Sequence, residues 1–328
     1  MKLKSRYLVA TALALCAILA LSLHAAQHPF FMRPPQRPQA EAPRIKVEVN
    51  LVLVDVSVTD EKDQIVGDLT KDDFHLYEDR IEQPVSVFKH EDVPVTVGLL
   101  LDASGSMYTK RQKVNAAAVD FMQLSNPNDQ VFLIDFADEA YLELEKDFTS
   151  DVEELRDALE NVQFRSSTVL YDAVYLALSH IKKGKYDKKV ILLVTDGKDN
   201  PGPGKHFAFK QAFDFAVESG AQIYTVGLLD DPPKSHFFKK GLPKEAEILK
   251  ELAEATGGKV YFPQSINDIG NVTKEIAHDI RSQYLLGYYP TNTARDGTWR
   301  SLQVKVTPKS SSRKLYVRCK RGYNSPKG

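Results

Sequence analysis

Residues 95–107, VTVGLLLDASGSM, constrain the chain more than any other stretch. The first seven are apolar except for Thr96 and Gly98. A run of that length without polar alternation suits a strand buried on both faces, as in a parallel sheet. It stops at Asp102, and Ser104, Gly105 and Ser106 follow before Val114, Ala117, Ala118 and Phe121 set a helical spacing. Asp102, Ser104 and Ser106 are therefore expected on the loop leaving the carboxyl end of a central strand, where open α/β sheets bind ligands. Alternate residues of a tight loop can turn one carboxylate and two hydroxyls toward a single point. Such oxygen donors suit a hard divalent cation, Mg²⁺ taking about six of them.

Strands and helices are expected to alternate beyond this loop. Apolar runs at 131–136, 190–195, 223–228 and 260–262 read as strands, and 140–148 as an edge strand. Helices are expected at 151–160, from Leu170 through Ile181, from Phe209 to a stop at Gly220, at 244–256 before Gly257-Gly258, and at 265–281. This order predicts an α/β fold over 94–282: a doubly wound, mostly parallel, Rossmann-like sheet with flanking helices.

The flanks have a different character. In 45–93, Ile45, Val47, Val49, Leu51 and Leu53 alternate with other residues, then the phase flips to Val52, Val54, Val56 and Val58. Such a flip predicts a bulge or a change of strand partner. Further strands are expected at 74–78 and 85–90, and after the α/β region at 283–288, 299–306 and 315–320. The segments 45–93 and 283–323 are expected to complete one β-sandwich into which the α/β domain is inserted, leaving 324–328 as a tail. No internal repeat is present.

Lys2, Lys4 and Arg6 precede an apolar run over 7–23 and then His24, Ala25 and Ala26, the layout of a signal peptide. The alternative is an inner-membrane anchor over 7–23, the one route by which a membrane becomes a partner. Residues 1–26 are thus read as an export signal, placing the protein in the periplasm or outside the cell. A proline-rich linker follows at 27–44. Loss of 1–26 removes three basic residues and takes the net charge from −1 to −4. With no long basic run, nucleic acid is not an expected partner. Cys16 lies in the apolar leader, so Cys319 is left as one thiol without an internal disulfide partner.

Two more loops should converge on the Asp102 loop in such a sheet: Arg165-Ser166-Ser167-Thr168 and Val194-Thr195-Asp196-Gly197. They bring the set to two carboxylates, Asp102 and Asp196, and three hydroxyls, Ser104, Ser106 and Thr168. Neutral hydroxyls and only two carboxylates leave a divalent cation with an appetite for a further anionic oxygen, and it would then accept an acidic side chain from a partner protein. That is binding chemistry and not catalysis. The pattern Asp102-x-Ser104-x-Ser106, Thr168, Asp196 resembles the metal-ion-dependent adhesion site of von Willebrand factor type A domains. VLVDVSVTD at 52–60, LYDAV at 170–174 and TDGKDN at 195–200 are similar to the related family described from Acidobacteria. The resemblance implies Mg²⁺ or Mn²⁺ held by these five residues, directly or through water, and an acidic protein ligand rather than a small-molecule substrate. Two departures stand out: Ser166-Ser167 replace a glycine pair, and Lys198 adds a positive charge two residues after Asp196. Either change would weaken binding of the metal or the ligand.

Each motif has a plainer reading when taken alone. Asp102-x-Ser-x-Ser is also a helix-capping turn, Thr168 an N-cap and Asp196-Gly197 a turn. Asp172 is expected in solvent or as a cap, and His206, His236 and His278 on the surface without ligand spacing. Phe209 and Phe213 are expected in the core. Asn271-Val272-Thr273 has glycosylation spacing but falls in an expected helix. An enzyme with Ser104 as nucleophile lacks the G-x-S-x-G elbow and an identifiable base. An aspartyl phosphatase built on Asp102 lacks the second acid two residues on. A scaffold with a vestigial metal site is the remaining alternative.

Overall fold

The computed structural model describes residues 51–144, 146–233, 241–308 and 313–328. The expected leader, the proline-rich stretch, the first part of the phase-flipped run and His236 lie outside them. Among the described residues, no helix is long and apolar enough to cross a membrane.

The chain first lays down four strands, β1 (Val52–Thr59), β2 (Phe74–Glu78), β3 (Ile81–Gln83) and β4 (Val85–Lys89). Between β2 and β3, Asp79 and Arg80 take φ of 48° and 69°. Positive φ at both central residues makes the tight turn that matches the twist of a hairpin. Then comes β5 (Thr96–Asp102), buried at every residue, and a 3₁₀ turn over Gly105–Lys110 that runs into α1 (Arg111–Gln123). Strands β6 (Gln130–Phe136) and β7 (Ala140–Leu142) and helices α2 (Val152–Asn161) and α3 (Leu170–His180) follow. Next are β8 (Lys189–Thr195), α4 (Phe209–Ser219), β9 (Gln222–Gly227), α5 (Lys244–Thr256), β10 (Val260–Tyr261) and α6 (Ile269–Arg281). The chain closes with β11 (Tyr284–Tyr288), β12 (Trp299–Val306), β13 (Tyr316–Arg318) and β14 (Gly322–Asn324).

Six strands form one sheet in the order β10-β9-β8-β5-β6-β7, parallel except for β7. Alternation along β5 divides its two faces. Val97, Leu99 and Leu101 join a core with Val114, Phe121 and Ile276 from α1 and α6, whereas Leu100 packs with Ala173, Ala177 and Leu249 from α3 and α5. Gly98 is required by packing: a Cβ there would stand 2.4 Å from the Phe132 ring. The fold class is thus the one expected, a mostly parallel sheet between helices. The expected edge strand over 140–148 is shorter in the structure. Among the described residues, pairing with β6 runs as far as Glu143, whose N–H reaches Leu133 O, and is next met at the bridge Val131–Thr149.

The remaining strands make two antiparallel sheets, β13-β1-β11-β4 and β14-β12-β2-β3. They share a core of Val54, Val56, Tyr284 and Leu286 from one sheet and Phe74, Leu76, Leu302 and Val304 from the other. Strand β1 pairs with β11 through Val52–Val56 and with β13 through Ser57–Thr59. Strand β14 pairs with β12 although no apolar alternation marks it, and it takes Asn324 out of the expected tail.

A polar network joins these strands to the α/β part. The Arg318 guanidinium on β13 pairs with Asp279 on α6 and donates to Ser57 Oγ at 3.0 Å and Gly257 O at 2.7 Å. Tyr224 Oη donates to Asp279 at 2.7 Å, and Gln283 Nε2 donates to Tyr224 Oη at 3.1 Å and Ser57 Oγ at 3.2 Å. Arg281, also on α6, binds Asp92 and Asp129.

Candidate metal centre

Asp102 is the last residue of β5 and Asp196 follows the last residue of β8; these strands are neighbours in the sheet. Adjacent parallel strands end on the same edge, so the two carboxylates emerge side by side. Both residues are buried, at 4 % and 2 % exposure.

Backbone bonds knit three loops around them. Ala103 N–H donates to Phe136 O at 2.8 Å, and Arg165 N–H to Ala103 O at 3.1 Å, which ties the 165–168 loop to the loop after β5. Thr168 exchanges backbone bonds with Asn200, at 3.2 and 2.8 Å, which ties the same loop to the segment after β8. Gly197 takes φ of 81°, and a Cβ on it would sit 2.9 Å from Glu245 Cβ at the start of α5. Only glycine serves this turn without strain.

The side chains then form a short chain of contacts. Asp102 Oδ1 accepts the Ser104 N–H at 2.9 Å, and Oδ2 accepts the Thr195 hydroxyl at 2.6 Å. Ser104 Oγ lies 3.2 Å from Ser106 Oγ, and Ser106 Oγ donates to Asp196 Oδ2 at 2.8 Å. Asp196 Oδ1 accepts the Lys198 N–H at 3.1 Å, and Oδ2 also receives the Lys198 ammonium at 3.0 Å. Four of the five expected residues are thus joined or nearly joined at one edge. Thr168 is buried beside them at 5 % exposure, but among the described residues its hydroxyl makes no hydrogen bond to the other four.

Burial raises the Asp102 carboxyl above its ordinary range; the like charge of Asp196 pushes the same way, against hydrogen bonds from Ser104 and Thr195. Burial acts on Asp196 too, but there the hydrogen bonds from Lys198 and Ser106 win and hold it low.

Thr195 is the residue that sequence reasoning missed. It is fully buried, it bonds Asp102 Oδ2, and its oxygen also accepts the Gly197 N–H at 3.0 Å. Its signal was its place, a hydroxyl at the end of an apolar strand directly before Asp196. Asp172 and His206 depart from the surface roles expected of them. Asp172 Oδ2 lies 2.6 Å from His206 Nδ1 and Oδ1 accepts the Phe207 N–H at 2.7 Å, because the loop before α4 folds back on the start of α3. Phe207 stacks on Tyr175 in the same contact, with ring centroids 3.9 Å apart. Phe209 and Phe213 pack against the core as expected. Asn271 and Thr273 lie within α6, and Thr273 is buried at 1 %.

The donor set fits a hard cation. Its atoms are all oxygens, and two buried carboxylates of like charge lie in one hydrogen-bonded chain, an arrangement that a divalent cation relieves. Among the described residues, no group of three or more His, Cys, Asp or Glu is placed to hold a metal, so any cation here draws on the hydroxyls as well.

No curated protein sequence matches the chain. Similar solved structures include an aerotolerance-related membrane protein from Bacteroides fragilis, at 22 % identity, covering 57 % of this chain and 98 % of that one, with a TM-score of 0.45. Another is the vWF domain of the type V pili tip protein Mfa5 from Porphyromonas gingivalis, at 14 % identity, 58 % and 95 % coverage and a TM-score of 0.47. A third is proximal thread matrix protein 1 from the mussel byssus with a zinc-occupied MIDAS motif, at 17 % identity, 62 % and 49 % coverage and a TM-score of 0.46. The model of the von Willebrand factor type A domain family matches residues 97–198, a span that opens inside β5, closes at Lys198 and contains all five candidate positions. Over those residues the chain is similar to the von Willebrand factor type A domain family.

Proposed function

We propose that this edge of the sheet is a divalent-cation site through which an exported protein binds an acidic side chain of a protein partner. Asp102, Ser104, Ser106, Thr168 and Asp196 would hold Mg²⁺ or Mn²⁺. The cation supplies a positive centre with room for one more anionic oxygen. The observation that carries this reading is the adjacency of Asp102 and Asp196, two buried carboxylates linked through Ser104 and Ser106. The α/β region 94–282 is the binding domain, and the segments 45–93 and 283–323 carry it as one sandwich. Residues 1–26 direct export to the periplasm or beyond.

A hydrolase reading has less support. Ser104 Oγ lies 3.2 Å from Ser106 Oγ, and among the described residues no histidine hydrogen-bonds it. The scaffold reading gives the sheet edge no ligand.

Thermal melts of the full chain test these readings. With Mg²⁺ or Mn²⁺ at 100 times its dissociation constant, mass action adds about 2.7 kcal/mol to wild type. Asp102→Ala should show no metal-dependent rise and should no longer retain an acidic protein partner. A wild-type melt that is the same in metal and in chelator would favour the scaffold.

A further inference from the structure

The Lys198 ammonium stands between two carboxylates. It lies 3.0 Å from Asp196 Oδ2, whose side chain is 1 % exposed, and 3.5 Å from Asp230 Oδ2, whose side chain is 81 % exposed. One flexible cation therefore stands between a buried carboxylate of the candidate site and a solvent-facing carboxylate outside it. Asp230 also has Lys110 within 3.9 Å, and the Lys110 ammonium is anchored on Leu228 O at 2.7 Å. Asp230 is thus held near the rim by a cation that comes from the end of the 3₁₀ turn after Ser104.

Asp196 has little spare capacity in this arrangement. Oδ1 takes the Lys198 N–H and Oδ2 takes both the Ser106 hydroxyl and the Lys198 ammonium. Of these donors, the ammonium is the one on a flexible four-carbon stem, half exposed and already in reach of another carboxylate. The backbone N–H cannot leave without unfolding the turn.

We propose that Lys198 is a tethered competitor for the cation site: its ammonium covers Asp196, and Asp230 receives it when it is displaced. This rests on the divalent-cation reading given above. Lys198 then sets the threshold concentration at which a free cation gains Asp196. Once moved to Asp230 it stays at the rim, where its charge favours an acidic partner.

The test is Mn²⁺ binding to the full chain, followed by the loss of the free-ion electron paramagnetic resonance signal. Thermal melts confirm that each variant folds. Lys198→Met should bind Mn²⁺ about tenfold tighter than wild type, since one full charge leaves the immediate surroundings of the site. Asp230→Asn should bind about threefold more weakly, because displaced Lys198 loses its second carboxylate. In the Lys198→Met background, Asp230→Asn should change affinity by less than about twofold, the coupling expected of residues acting through one another. Equal affinity of wild type and Lys198→Met would overturn the proposal while leaving the cation site standing. Equal weakening by Asp230→Asn in both backgrounds would also overturn it, because Asp230 would then act as a general negative charge. No Mn²⁺ binding by either wild type or Lys198→Met at millimolar ion would remove the cation site itself, and this proposal with it.

Discussion

Asp279, on the last helix of the α/β part, and Asp102, at the end of β5, are buried to nearly the same extent, at 5 % and 4 % exposure. Asp279 meets the Arg318 guanidinium and the Tyr224 hydroxyl, and Arg318 is fixed in turn by Ser57 and Gly257. Burial would raise the Asp279 carboxyl, but the Arg318 charge and the hydrogen bonds from Tyr224, Ser57 and Arg318 together outweigh it and hold the group low. Asp102 meets an N–H and a hydroxyl, with a second carboxylate as its charged neighbour, and is raised. A buried charge matched by a rigid cationic fork belongs to the scaffold. Buried like charges met by hydroxyls and one flexible ammonium leave electrostatic work for a ligand. Asp135 shows a third answer, a retained proton. It is 3 % exposed on β6, its Oδ1 has no hydrogen-bond partner among the described residues, and burial together with Glu143 pushes it up to about 8.

The largest test of this contrast lies at Asp279. Arg318→Met should cost roughly 3 to 5 kcal/mol, because it strands a buried carboxylate. The double variant Arg318→Met with Asp279→Leu should recover most of that loss in urea denaturation. A double variant as unstable as the single one would show that the guanidinium serves Ser57 and Gly257 more than Asp279.

Asp135 gives the next effect, in pH dependence. The folded chain holds this proton up to about pH 8, while the unfolded chain releases it near the ordinary 3.8. Stability is therefore greatest on the acid side of that window, falls as pH rises through it and then levels off. Asp135→Asn should flatten that part of the profile. Parallel wild-type and variant curves between pH 5 and 8 would exclude the carboxyl as the source.

His206 carries the smallest effect. The hydrogen bond it gives to Asp172 raises it above its ordinary 6.5, with the Asp172 charge acting in the same direction. The pair's contribution is complete below that ordinary value and is lost as pH rises through the folded one. The His206 ring resonance should titrate above 6.5, and Asp172→Asn should bring it back down.

The candidate site was legible to an unusual degree because each part is punctuated locally. Asp102 ends an apolar run, Asp196-Gly197 ends another, and Thr168 stands just before a helix with clear apolar spacing. Thr195 escaped notice because a threonine closing a strand looks the same whether its hydroxyl bonds a neighbour or not. The contact between Asp172 and His206 is not legible because nothing in the sequence between these positions, 34 apart, signals that the loop before α4 folds back on the first turn of α3. Strand β14 was invisible because its three residues show no alternation, and pairing with β12 alone makes it a strand.

The amino-acid sequence by itself determined which segments are buried on both faces, the alternation that makes a parallel sheet, and the loops that carry oxygen donors. These follow from apolar periodicity and from turn residues, which act over a few positions. The tertiary structure alone decided that β5 lies beside β8, which makes neighbours of Asp102 and Asp196, and that Lys198 reaches Asp230. It also decided that Arg318 closes on Asp279 across 39 residues of chain. Periodicity specifies that a face is buried and leaves open what covers it; the partner is chosen when the sheet closes and distant segments are brought side by side.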